Sequence, residues 1–134
     1  MIKFKQLFNF PSVFSKRNKE IPQLVRIVKI QDVNKDEKNK TVTITSSVHK
    51  HTSQITFFDV VIPMDINSDK EVTVQCSCES FKFEFAFALE QKKSLMNSKS
   101  FILNQPKKKN TFNSISGCKH LIALANYIKI NKIM

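Results

Sequence analysis

Apolar and polar residues alternate through much of residues 23–78 at the period of a β-strand. Leu24–Val33 is rich in valine and isoleucine, with Val25 and Ile27 in one phase and Val28 and Ile30 in the other. Thr41–Val48 is a β-branched run. Ile55–Ile62 is nearly all apolar at Phe57, Phe58, Val60 and Val61, and Pro63 closes it. Glu71–Cys78 alternates strictly: Val72, Val74, Cys76 and Cys78 share one face, and Thr73, Gln75 and Ser77 the other. The polar segments Asn34–Lys40, His49–Gln54 and Asp65–Lys70 separate the four runs. This pattern predicts an antiparallel sheet of about four strands.

The period changes on either side. Phe81, Phe83, Phe85 and Phe87 alternate like a strand, but Phe81, Phe85, Ala88 and Leu89 also share a helical face. A short extended start passing into a helix is expected there. Residues 96–113 read as a polar loop holding Pro106 and the run Lys107, Lys108, Lys109. Residues 117–131 read as the last helix, with Leu121, Leu124, Ala125 and Ile128 as its apolar stripe. At the other end, residues 1–22 read as an apolar arm that carries Phe4, Leu7, Phe8, Phe10 and Phe14. Pro11 interrupts it, and a polar stretch from Ser15 to Glu20 ends at Pro22. These side chains bury either on the chain's own sheet or on a neighbouring molecule. The whole is expected to be α+β: the arm at 1–22, then a single domain at 23–134.

The chain has 134 residues, long enough for one domain with a thin core. Its single glycine, Gly117, excludes the glycine-rich loops that cradle dinucleotides and nucleotide phosphates. The formal net charge of +11 favours polyanionic partners: nucleic acid, an acidic protein or anionic lipid. Lys, Asn, Ile and Phe share AT-rich codons, which offers a second explanation of the lysine excess. Only Arg17 and Arg26 carry guanidinium groups, so any nucleic-acid contact would address the DNA or RNA backbone more than base edges. Lys107, Lys108, Lys109 and Lys119 are the candidates for such a contact, or for an acidic partner. No apolar run is long enough to span a membrane, and no small-molecule substrate is indicated. Three cysteines with no secretory signal point to a reducing compartment such as a cytoplasm.

All three cysteines fall in one pattern. Cys76-Ser-Cys78 is followed, after 39 residues, by Cys118-Lys-His120. Three thiolates and an imidazole are a complete tetrahedral ligand set for one structural Zn²⁺. Cys76 and Cys78 project to the same face of a strand. Residues i and i+2 of a helix do not share a face, so Cys118 must lie where the helix starts and His120 in its first turn. Three buried free cysteines are the plainer alternative. A catalytic zinc keeps a position open for water, whereas this set fills all four, so no enzymatic role is expected. His49 and His51 form a second pair, able to bind metal if they lie on a strand and merely solvated if they lie in a loop.

C-x-C…C-x-H running into the apolar helix Leu121-Ile122-Ala123-Leu124 resembles the SWIM-type zinc finger. The resemblance covers about residues 71–130 and implies a ββα unit closed by zinc on Cys76, Cys78, Cys118 and His120. SWIM modules are implied in nucleic-acid binding and in protein–protein contact. The gap between the ligand pairs is longer here than is usual for that family. With Phe85-Ala86-Phe87-Ala88 inside it, the chain resembles a group of small bacteriophage proteins, some of them virion components. The expected function is therefore a non-enzymatic, zinc-stabilised interaction module among the proteins of a larger assembly such as a phage virion. The alternative is a nucleic-acid-binding adaptor acting through lysines.

Overall fold

A computed structural model of the chain describes residues 1–8, 15–61, 66–100 and 117–131. The strands are β1 (Ile2–Lys3), β2 (Lys29–Asp36), β3 (Thr41–Val48), β4 (His51–Phe57) and β5 (Glu71–Cys76). The helices are α1 (Ser15–Arg26), α2 (Ala86–Gln91) and α3 (Lys119–Asn131).

Alternation decides which face of the sheet is buried. Val42, Ile44 and Val48 of β3, Ile55 and Phe57 of β4, and Val72 and Val74 of β5 all point inward and are fully buried. Threonine, serine and glutamine occupy the opposite phase, where Thr43 and Thr56 join hydroxyls at 2.8 Å and Gln54 donates to Thr45 at 3.0 Å. The pairing is antiparallel throughout, in the order β1-β5-β4-β3-β2. β2 is an edge strand, and a register shift between Ile30 and Asp32 interrupts its ladder. Such an irregularity, with charged side chains beside it, discourages further strand pairing.

The fifth strand comes from the arm. Ile2 pairs with Val72 and Lys3 with Glu71. Beyond β1, the same edge of β5 is covered by Leu95, which bridges to Val74. Buried Ser94 ties the two coverings together: its hydroxyl accepts the Ile2 amide at 2.6 Å and its carbonyl accepts the Val74 amide at 2.8 Å. Phe4 and Leu7, read above as candidate partner contacts, are 3% and 0% exposed in the chain's own core. Phe8 packs partly buried against that core. Phe10 and Phe14 lie outside the described residues.

Several boundaries differ from the reading of the sequence; β4, for one, ends at Phe57 and not at Ile62. Ser15–Arg26 is a helix where a polar stretch ending at Pro22 was expected, and it crosses the division placed at residue 22. Ile21, Leu24 and Val28 are all buried, at spacings of three and four, and α1 packs on α3. That burial outweighs the hydrogen bond which Pro22 cannot donate. The phase break between Ile27 and Val28 marks the change from helix to strand. The polar connection expected at His49–Gln54 shrinks to the turn His49–Lys50, and β4 starts at His51. No extended segment follows Cys78. A π-helical turn, Phe81–Phe85, leads directly into α2.

α3 lies against the inner face of the sheet, in contact with β3, β4 and β5, while α1 packs on it as well. Leu121, Ile122, Ala123, Leu124 and Ala125 are consequently all buried. The expected stripe is thus too narrow, because a helix between two layers needs apolar residues all round.

Candidate metal centre

β5 ends at Cys76, on the inner face. Two residues on, Cys78 is held by the helical turn that follows it. The Phe81 amide donates to its sulfur at 3.4 Å and the Lys82 amide to its carbonyl at 3.3 Å. The second pair opens α3. The Cys118 carbonyl accepts the Ile122 amide at 3.0 Å, and His120 lies in the first turn of the helix, as the spacing requires. Gly117 precedes them for reasons of space. A β-carbon there would lie 2.7 Å from Leu121 Cδ2 and 3.2 Å from its Cβ.

These elements bring the Sγ atoms of Cys76, Cys78 and Cys118 and a ring nitrogen of His120 within 4.8 Å of one another, and all four residues are buried. A tetrahedral ion with sulfur ligands at about 2.3 Å sets its ligand atoms roughly 3.8 Å apart, so a small contraction suffices. The donor set fits a metal in a second respect. Nδ1 of His120 is buried and has no hydrogen-bond partner. A buried imidazole nitrogen left unsatisfied is costly, and an ion bound at that nitrogen would satisfy it. The four residues are positioned to hold a metal ion.

The thiols do not share their protons evenly. Hydrogen bonds from Cys118, then from Cys78 and Ser53, hold the Cys76 thiol down to about 3. Burial pushes the Cys118 thiol up, and its contacts with Cys76 and Cys78 push it the same way. Cys76 thus gives up its proton more readily than Cys118, whose burial favours the neutral thiol.

The sequence reading missed the supporting shell. Ser46 and Ser53 are fully buried on opposed positions of β3 and β4. The Ser46 hydroxyl donates to the Ser53 carbonyl at 3.4 Å, and the Ser53 hydroxyl donates to Cys76 Sγ at 3.3 Å. The signal was present: each serine falls in the inward phase of a strand whose other inward residues are mostly apolar. Such donors orient metal ligands and tune their basicity.

The remaining candidates are placed as follows. His51 is brought beside the cluster, its ring centroid 4.6 Å from that of His120, and His49 lies at 6.4 Å. Neither belongs to the four-atom group. Lys119 pairs with Glu20 of α1 at 2.8 Å. Lys107, Lys108 and Lys109 lie outside the described residues. The alternating phenylalanines do not share one face: Phe81 and Phe85 are in the core, while Phe83 is 70% exposed. A helical turn carries them to different sides, where a strand would have aligned them.

Comparison with protein-family models, with curated proteins and with solved structures finds no match for this chain. The fold and the metal centre rest on its own residues.

Proposed function

We propose that the chain is a non-enzymatic interaction module closed by one structural zinc ion, with Cys76, Cys78, Cys118 and His120 as ligands. One observation carries this reading: three sulfurs and an imidazole nitrogen converge within 4.8 Å in a buried site. A sulfur-rich set of four suits zinc and leaves no position for a substrate. When bound, the ion would join β5 to the start of α3 and so hold in place the loop between the ligand pairs. The ββα arrangement implied by the SWIM resemblance agrees with a ligand pair at the end of a strand and another at the start of a helix.

On this reading the outer surface makes the contacts, within a larger assembly such as a phage particle. Phe83 and Ile130, at 70% and 68% exposure, are apolar groups available to a protein partner. The lysine-based alternative has less support among the described residues. Lys119 is tied to Glu20, Lys5 to Asp69 at 3.0 Å, and Lys129 sits 5.1 Å over the ring of Phe8.

Native mass spectrometry under reducing conditions tests the metal, on the wild type and on Cys118→Ser. One zinc per chain in the first and none in the second is expected. A folded wild type without metal overturns the reading. The surface is tested by the salt dependence of binding to a single-stranded DNA probe. A steep loss of tight binding with added salt would favour the nucleic-acid adaptor.

A further inference from the structure

The three histidines of the chain are His49, His51 and His120, and the fold gathers all of them at one end of the sheet. Two are far from the third in sequence and belong to neither ligand pair. His51 opens β4, in phase with the inward residues Ser53, Ile55 and Phe57. The β4–β5 register pairs Ser53 with Cys76, and continuing it by two residues sets His51 opposite Cys78. The imidazoles of His51 and His120 lie with centroids 4.6 Å apart and planes at 46°. His51 makes a long contact, 3.5 Å from Nδ1 to Ser77 Oγ. His120 is buried whereas His51 is only half-buried.

The turn that delivers these rings is also unusual. His49 has φ of 55°, and it is the first of the two residues joining β3 to β4. In a two-residue hairpin turn with positive φ at the first position, glycine is the usual occupant. A histidine there retains a side chain where most turns give one up, and its ring stands edge-on to His120 at 88°.

We propose that His51 is an exchange ligand of the metal site, able to take the imidazole position in place of His120. This rests on the zinc reading above. Three thiolates hold the ion in either arrangement, and neutral imidazole replaces neutral imidazole, so charge and donor type are unchanged. The difference is access. With His120 as ligand the site is closed by α3, whereas with His51 as ligand the ion is held from the end of the sheet, by a residue that is only half-buried. His51 thereby gives the ion a route in and out that needs no undocking of α3.

Cobalt(II) is the probe, because its visible absorption reports the number of thiolate and nitrogen ligands. Wild type, His49→Ala, His51→Ala, His120→Ala and His51→Ala/His120→Ala would each be titrated under reducing conditions. His120→Ala is expected to keep one cobalt per chain with a three-sulfur, one-nitrogen spectrum, and the double variant to bind at least about tenfold more weakly with a changed spectrum. Identical affinity and spectrum in those two variants would overturn the proposal. A second measurement covers the case in which His120→Ala does not fold. Zinc transfer from loaded protein to a chromophoric chelator is expected to slow about tenfold in His51→Ala and to be unchanged in His49→Ala. Equal transfer rates in wild type and His51→Ala would overturn the exchange role while leaving the zinc reading intact. A wild type that takes up no cobalt would overturn both.

Discussion

Ser53 donates its hydroxyl to the sulfur of Cys76 across 3.3 Å, from the inward phase of β4 that also carries Ile55 and Phe57. Ser53 is fully buried, and its hydroxyl is placed to stabilise negative charge on the sulfur. Ser53→Ala should lower zinc affinity by about tenfold while the metal-loaded fold is kept. Competition against a chromophoric chelator measures it, and an unchanged affinity would show that the contact is only packing.

Removing the metal should cost far more. Structural zinc supplies roughly 10–16 kcal/mol in zinc-finger peptides, comparable with the ~5–15 kcal/mol total stability of a domain. Treatment with a strong chelator is expected to lower the thermal midpoint by roughly 10 °C or more. Hydrogen exchange should rise first at the start of α3, around Cys118–Ile122, and last in the β3–β4 pair. Uniform exchange before and after chelation would contradict this.

Zinc uptake should release protons, and the thiols differ in what they can release. Cys76, held low by its hydrogen bonds from Cys118 and Cys78, has less of a proton to give. Cys118, pushed up by burial, must give one. Binding that releases protons strengthens as pH rises and weakens as it falls, by about tenfold per unit for each proton released. Titration in weak buffer should therefore acidify the solution, and Cys118→Ala should release fewer protons than wild type. Equal release from both would refute the assignment of the proton to Cys118.

Gly117→Ala should destabilise the chain by about 1–3 kcal/mol, as overpacking does. The added methyl would crowd Leu121 at Cδ2, Cγ and Cβ, and that side chain is fully buried. Urea unfolding of the metal-loaded protein gives the difference. A companion Leu121→Ala, Gly117→Ala variant should show the two changes to be coupled.

Lys93→Gly should act in the opposite direction. α2 ends with the Ser94 amide on the Leu89 carbonyl and the Lys93 amide on the Glu90 carbonyl, both at 2.9 Å, and Lys93 has φ of 59°. Glycine is the usual residue at this left-handed position. The substitution should stabilise by about 1 kcal/mol and raise the thermal midpoint. No rise would mean that Lys93 makes a compensating contact.

Much of this was legible in the residues. The strict alternation of Glu71–Cys78 gave the face on which Cys76 and Cys78 lie, because successive side chains of a strand point to opposite sides. The constraint on Cys118 and His120 gave the place where α3 begins. Other features were not legible locally. Ile21, Leu24 and Val28 read as strand or linker until α3 supplies the surface that makes a helical face worth burying. Ile2–Lys3 becomes a strand only because β5 has an open edge beside it.

By itself, then, the sequence determined an α+β chain with an alternating sheet and four candidate ligands in two pairs. Periodicity and ligand spacing are local properties, carried by residues a few positions apart. The tertiary structure alone decided that the arm completes the sheet, that Lys119 is held by Glu20, and that Ser53 and His51 stand around the thiols. Each of these depends on contacts between residues distant in the chain, and such contacts exist only once the sheet and α3 have packed together.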